Sequence, residues 1–423
     1  MTTAKTVPPG KKRFYGWVAL AGAALTALIG GGIFFYSYGV FLPVMCSYFN
    51  WSRAALSAGL SVGLLAFGLL SPVYGVLIDR YGPRINLVLG NVLMALMLAG
   101  MALVKEVWQV YVLYGLVGLG AGVGGYVALV TVANNWFKKH RPLAMGIGSA
   151  ATGAGGFIFP PLVTKLITAL HWQTSWLVLA GMVIVFAAVV GGWAMVRNKP
   201  EDMGQTPDGI AAEPSAAGGA GQPSDSGTGV WTLKKALRQP VTWLLTAMSV
   251  ANQFAMGTMA AHQVAHVQDL GFSADSAALT MSLTSLLSII GSLTFGMVAI
   301  KVNARRLTII AFCLQAAGLV ILLVSRQLPL IYLYAVLWGG GSGILFTAVP
   351  SMLGEYYGRT QYAQITGVVS AIAIASEAAA PVIAGLVYDR TSTYTTAFII
   401  LVVLALAGLV CAFFARPPKT QVS

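Results

Sequence analysis

Glu377 sits in Ala375-Ser376-Glu377-Ala378-Ala379-Ala380-Pro381, midway along an apolar run, and none of the other acidic residues lies so deep in one. An ionised carboxylate at mid-bilayer costs roughly 2.5–3.5 kcal/mol on insertion scales, so the group must face a wet cavity or carry a proton. That is the chemistry of a proton carrier, and Glu377 is assigned to proton coupling. His262 and His266 share one helical face at i, i+4 spacing. His262 can relay a proton or hydrogen-bond a carboxylate in the outer half of a cavity; His266, near Asp269, is expected to be solvated. The pair recruits no further ligand, so no metal is expected. Cys46, Cys313 and Cys411 show neither metal-ligand spacing nor a disulfide framework. No nucleophile, base and orienting group converge in sequence, so neither an enzyme nor a cofactor is expected.

These residues need a scaffold that lives in lipid. The chain is 57% hydrophobic and 9% charged, with a mean hydropathy of +0.79, outside the balance of a soluble domain. A hydrocarbon core of roughly 30 Å takes about 20 apolar residues per helix. Twelve runs qualify: 16–46, 54–77, 86–104, 109–134, 143–168, 172–196, 241–266, 276–300, 306–325, 330–354, 363–388 and 394–415. Of the 25 Lys and Arg, only Arg53, Lys105, Lys165, Arg326 and Arg390 fall on the side away from the N-terminus. This asymmetry puts both termini in the cytoplasm of a cell whose inner membrane holds the protein. The net charge of +13 is thereby spent on orientation, and no nucleic acid is expected.

The pattern repeats. Gly75, Arg80 and Arg84 match Gly296, Lys301 and Arg305, each 221 residues on (296−75 = 221). Gly146, Ser149, Ala150 and Trp136 match Gly367, Ser370, Ala371 and Tyr357 at the same separation, while Pro161 and Pro381 are 220 apart. The fold class is therefore all-α: twelve transmembrane helices in two pseudo-symmetric six-helix bundles about an axis along the membrane normal. The domains are a cytoplasmic tail (1–15), the first bundle (16–196), a cytoplasmic linker (197–239), the second bundle (240–416) and a tail (417–423). From Lys199 to Gly229 the linker is rich in Pro, Gly, Ser and Ala and is expected to be disordered; Val230 to Arg238 reads as a short amphipathic helix.

Gly75-Val76-Leu77-Ile78-Asp79-Arg80-Tyr81-Gly82-Pro83-Arg84, G-x-x-x-D-R-x-G-x-R between helices two and three, resembles the signature loop of the major facilitator superfamily. Asn135-Trp136-Phe137-Lys138-Lys139-His140-Arg141-Pro142-Leu143-Ala144-Met145-Gly146 is similar to the corresponding stretch of monocarboxylate porters, and Tyr15-Gly16-Trp17 is a weaker echo of their N-terminal signature. The superfamily resemblance implies a cytoplasmic latch of Gly75, Asp79, Arg80, Gly82, Arg84 and Arg305, closed when the cavity faces outward. Asp79 is expected to meet Arg84 or a helix N-terminus, and Ile300 takes the aspartate's place in the second copy. The resemblance also implies that helices one, four, seven and ten line a central path. On them Tyr36, Tyr126, Gln253, Tyr334 and Trp338 lie at membrane depth.

Animal monocarboxylate porters place a lysine in helix one and an Asp and Arg in helix eight. Here Ile33 to Tyr38 holds no cation, and register from Gly296 puts Ser288 and Ser292 at the helix-eight positions. The expected function is proton-coupled transport of a small, monocarboxylate-like organic acid by alternating access, in a monomer. Glu377 and His262 serve the proton; Tyr36, Tyr126, Gln253, His262, Ser292, Tyr334 and Trp338 serve the substrate. The alternatives are organic-anion exchange and efflux of an apolar or cationic compound; a non-transporting sensor lacks an output domain. The Gly30–Gly32, Gly118–Gly125 and Gly339–Gly341 runs are packing or gating features.

Overall fold

A computed structural model describes residues 14–138, 140–209, 232–299, 301–357 and 362–418. No strand occurs among them. Among the described residues, nine helical runs are long and apolar enough to cross a membrane. One of these, Leu143–Met195, is two crossings joined at His171, whose positive φ of 64° breaks the helix. Pro240–Asp269 falls short of that hydropathy because it carries Asn252, Gln253, His262 and Gln263, all turned toward other helices. Arg53–Leu69 is short because the chain breaks at Leu70, two residues before Pro72, and resumes in Ser71–Met101. That last run is itself divided at Gly82.

Counted this way there are twelve crossings: α1 (Gly16–Phe49), α2 (53–81), α3 (83–101), α4 (Val107–Trp136), α5 (141–170), α6 (172–195), α7 (Pro240–Asp269), α8 (Ala274–Val298), α9 (Ala304–Val324), α10 (Leu328–Tyr357), α11 (Tyr362–Thr391) and α12 (Thr395–Phe414). The glycine runs mark irregular points in these helices. Ala27–Gly31 is a π turn in α1, and α4 is interrupted at Gly124 and Gly125. Gly339 and Gly341 instead let α10 close on its neighbours: an added methyl would come within 2.5 Å of the Thr284 carbonyl oxygen and 2.6 Å of that of Ala311.

The repeat is visible in the bonds that close each bundle. Arg84 donates to the Trp193 carbonyl at the end of α6 (Nη2–O 2.8 Å) and lies 4.1 Å over its ring. Arg305, its counterpart, donates to the Ala412 carbonyl at the end of α12 (2.9 Å) and to that of Phe413. Gly82 takes φ +78°, which favours glycine, and any side chain there would strike Asn198, whose Oδ1 accepts from the Arg84 amide (2.9 Å). The arginine of each signature turn thus fastens the last helix of its own half. Asp79, expected to meet Arg84 or a helix end, is instead exposed and pairs with none of the described residues. Ile300 lies outside the described residues.

The two porter-like stretches meet on this side. Tyr15 lies 5.9 Å from Trp136, and Trp17 lies 4.7 Å from Phe137, ring to ring. The linker differs from its composition at its start. Residues 199–209 make two tight turns against the first bundle, where the buried Asp208 carboxylate accepts from the Lys138 amide (2.8 Å) and contacts His140 Nδ1 (3.1 Å). Satisfying that carboxylate with an amide and a ring nitrogen outweighs the low apolar content that predicts disorder. Residues 210–231 lie outside the described residues. Of the expected amphipathic segment, Leu233–Leu237 is helical, with Thr232 capping it (3.3 Å to the Lys235 amide).

The halves touch along two seams that the repeat interchanges: α2 runs beside α11, and α5 beside α8. On the side away from the linker, the far side, Gly385 meets Ala54 backbone to backbone, and the Ala260 carbonyl fills the space beside Gly39. At mid-depth Gly68 faces Ile374 and Gly153 faces Ile289. Two turns further toward the linker side, seven residues along the same faces, lie Gly75, Gly367, Gly146 and Gly296. Among the described residues, nothing lies within 4 Å of where a side chain would start at any of the four. The seams are closed on the far side and parted on the linker side.

Candidate transport pathway

Local chemistry positions Glu377. Pro381 has no N–H, so it leaves the Glu377 carbonyl without its helical partner. Gly257 of α7 fills the gap: its backbone lies so close to that carbonyl that a methyl group would collide. The half-buried Glu377 carboxylate then accepts from Gln253 Nε2 of α7 at 2.8 Å. One of its two oxygens is committed, and it stands near enough to Tyr36 of α1 for the two to interact electrostatically. Its surroundings are thus polar groups of α7 and α1.

Beside it lies a cavity of about 40 Å³ between α1, α7, α8 and α10, room for roughly three waters. Tyr36, Ser285, Ser288 and Trp338 are in its wall, where Tyr36 of one half and Ser285 of the other adjoin across the boundary. Its lining contains no Lys, Arg, His, Asp or Glu. A larger cleft of about 410 Å³ lies away from this region, beneath the α8–α9 turn and lined by Lys301 and Glu355 among others.

The other expected substrate residues separate. Tyr334 is fully buried behind the wall, its hydroxyl on Met259 Sδ (3.3 Å). Ser292 does not face the cavity. Its hydroxyl donates to the Gly343 carbonyl (2.8 Å) where α8 meets α10, and Ser288, one turn away, is the residue exposed to the cavity. The Tyr126 side chain lies outside the described residues.

His262 is fully buried in the far-side closure. Its Nε2 contacts the Pro381 carbonyl (2.8 Å) and Ser57 Oγ (3.2 Å), and its Nδ1 contacts the Tyr394 hydroxyl (2.9 Å). A carbonyl only accepts, which assigns the proton to Nε2 and leaves Nδ1 to accept from Tyr394. His266, expected to be solvated, is buried edge-on against Phe398 with ring centroids 4.5 Å apart; the first turn of α12 covers it, which nothing in the local sequence signals.

Composition reads Arg53 as a loop charge, yet it organises this closure. It forms a fork with Asp269 (2.7 and 2.8 Å), donates to the Tyr394 hydroxyl (2.8 Å) and lies 3.9 Å over the Tyr388 ring. Asp389 accepts from the amides of Arg53 and Ala54 (3.0 Å each), so the second half caps a helix of the first. Forked, charge-assisted bonds of this kind are among the stronger polar contacts.

A duplicated twelve-helix bundle with a midplane site between its halves is the architecture of a secondary transporter. The chain belongs to the Major Facilitator Superfamily, whose sequence profile matches residues 22–267 and again 244–423. Human monocarboxylate transporter 12 is 24% identical over 402 residues, covering 91% of this chain and 77% of that protein. The oxalate:formate antiporter of Oxalobacter formigenes is 24% identical over 425 residues, covering 94% and 96%. Among solved structures, a bacterial homolog of the human lysosomal transporter Spinster, inward-facing and occupied, superposes with a TM-score of 0.75 at 12% identity, covering 96% of this chain and 97% of that one. That likeness is one of fold.

Proposed function

We propose that the chain moves a small, monocarboxylate-like organic acid across the cytoplasmic membrane together with a proton, as a monomer with both termini inside. The halves rock about the Tyr36–Ser285 contact. The observation that carries this reading is the carboxyl of Glu377, bonded to Gln253 beside a seam cavity whose own lining has no Lys, Arg, His, Asp or Glu. An empty, charged Glu377 opposes enclosure in a dry cavity, and protonation removes that opposition. The linker side, where the seams part, is then the cytoplasmic side. The names of the relatives, monocarboxylate transporters and an oxalate:formate antiporter, support an organic acid as cargo.

Glu377→Gln keeps the Gln253 contact and removes the titrating proton. In proteoliposomes under an imposed pH gradient, accumulation of L-lactate should vanish while lactate–lactate exchange persists. Undiminished accumulation would overturn the assignment of the proton to Glu377.

A further inference from the structure

We infer that His262 is an acid-operated catch on the far side: a proton on its Nδ1 and the Arg53 guanidinium compete for one oxygen, that of Tyr394. The inference goes beyond the proton assigned to Glu377, and rests on the reading above only for its rocking halves and for the far side being the outside. In the closed form the Tyr394 hydroxyl accepts from Arg53 Nη1 (2.8 Å) and donates to His262 Nδ1 (2.9 Å), while His262 Nε2 donates to the Pro381 carbonyl (2.8 Å). A protonated ring has two donors and no acceptor. Its Nδ1–H would aim at an oxygen already engaged by a guanidinium, bringing two cations onto one buried hydroxyl. Closure therefore expels the proton.

Opening resolves the conflict, because the partners divide between the halves. Pro381 and Tyr394 belong to the second half and travel with His262; Arg53 and Ser57, the latter 3.2 Å from Nε2, belong to α2 of the first half and leave. What stays behind is a seat for an imidazolium, with the Pro381 carbonyl for Nε2–H and the Tyr394 oxygen for Nδ1–H. Acid outside thus favours the open form. The proton returns to the same side on closing, so it adds nothing to the stoichiometry of transport. The other charged or titratable groups around this junction are Asp269 and His266 on α7, Tyr388 and Asp389 on α11, and Cys46 on α1. Asp269 is held in the Arg53 fork and Asp389 by two amides. His266 packs against Phe398 within the second half, so rocking leaves that contact intact.

Spin labels on Lys105→Cys and Gln327→Cys, exposed far-side positions of the two halves, test this in the full chain in lipid nanodiscs, with Cys46, Cys313 and Cys411 replaced by Ser. Their distance distribution gives the ratio of far-side-open to far-side-closed molecules. Between pH 7.5 and pH 5.5 that ratio should rise about tenfold, as linkage requires for an imidazole that titrates in water when open and sheds its proton on closure. His262→Gln keeps an amide donor for the Pro381 carbonyl but cannot titrate, and its ratio should change less than about twofold. Tyr394→Phe removes the contested oxygen without touching the ring, and should cut the rise to about threefold or less. His266→Gln and Glu377→Gln should keep the full rise. A flat wild type, a rise that survives both His262→Gln and Tyr394→Phe, or one lost in His266→Gln would overturn the inference. A rise lost in Glu377→Gln but kept in His262→Gln would also overturn it, by moving the trigger to Glu377, and would leave the coupling proposal standing. Failure of that proposal is read separately, from lactate accumulation, and leaves the rise unchanged.

Discussion

Deep in the second half, a proline, a glycine and a carboxyl act as one unit. Pro381 frees a carbonyl, Gly257 approaches it, and the Glu377 side chain is thereby set against Gln253. Gly257→Ala would drive a methyl into the Glu377 backbone, where rigid backbone on both sides leaves little room to relax. Transport by this variant should fall at least tenfold, with a stability loss of about 1–3 kcal/mol, read as initial uptake rate and melting temperature. Ser292→Ala is the contrasting case: the hydroxyl serves a helix carbonyl, so the variant should lose about 0.5–1.5 kcal/mol of stability and retain near wild-type uptake. The depth of Glu377, Tyr36 and Trp338 is legible in the sequence because position within an apolar run fixes membrane depth. Facing is less legible. Ser288 and Ser292 are a turn apart, and only the contact of α8 with α10 decides which is withdrawn. The role of Arg53 is hidden altogether, because its partners Asp269 and Asp389 are 216 and 336 positions away.

Among the helices, α2 carries most of the far-side closure. Its first turn brings Arg53 to Asp269, Tyr394 and Tyr388, and Ser57 to His262. Arg53→Gln removes the fork and the cation over the ring, together worth about 1–2 kcal/mol. Against that background, Ser57→Cys, fully buried in the closed form, should react about tenfold faster with a membrane-impermeant maleimide added from the far side. An unchanged labelling rate would show that Arg53 does not hold this closure. The break inside α2 and the start of the linker illustrate which element boundaries are readable. The break at Leu70 accompanies Pro72, a local signal that the continuous hydropathy masks. The ordered turns at 199–209 depend on Asp208 finding Lys138 and His140 across 70 and 68 residues, which composition cannot foretell.

Across the whole molecule, the four unfilled glycine positions continue both seams past the point where they part. If the halves rock, Gly75 approaches Gly367 and Gly146 approaches Gly296 as the far side opens. Cysteine pairs at 75/367 and 146/296 should then crosslink with a short bifunctional reagent at a rate that rises when cargo drives cycling, and the crosslinked protein should be inactive. Failure of both pairs to link under turnover would argue against rocking about these seams. This symmetry is what the 221-residue spacing anticipates, since a duplicated sequence must place α2 on α11 wherever it places α5 on α8.

Asp389 belongs to one bundle, yet the backbone nitrogens it satisfies, those of Arg53 and Ala54, belong to the other. Each excursion that separates them must hand those nitrogens to water. Hydrogen–deuterium exchange at the first turn of α2 would therefore clock how often the molecule visits its opposite face, with no cargo or label required.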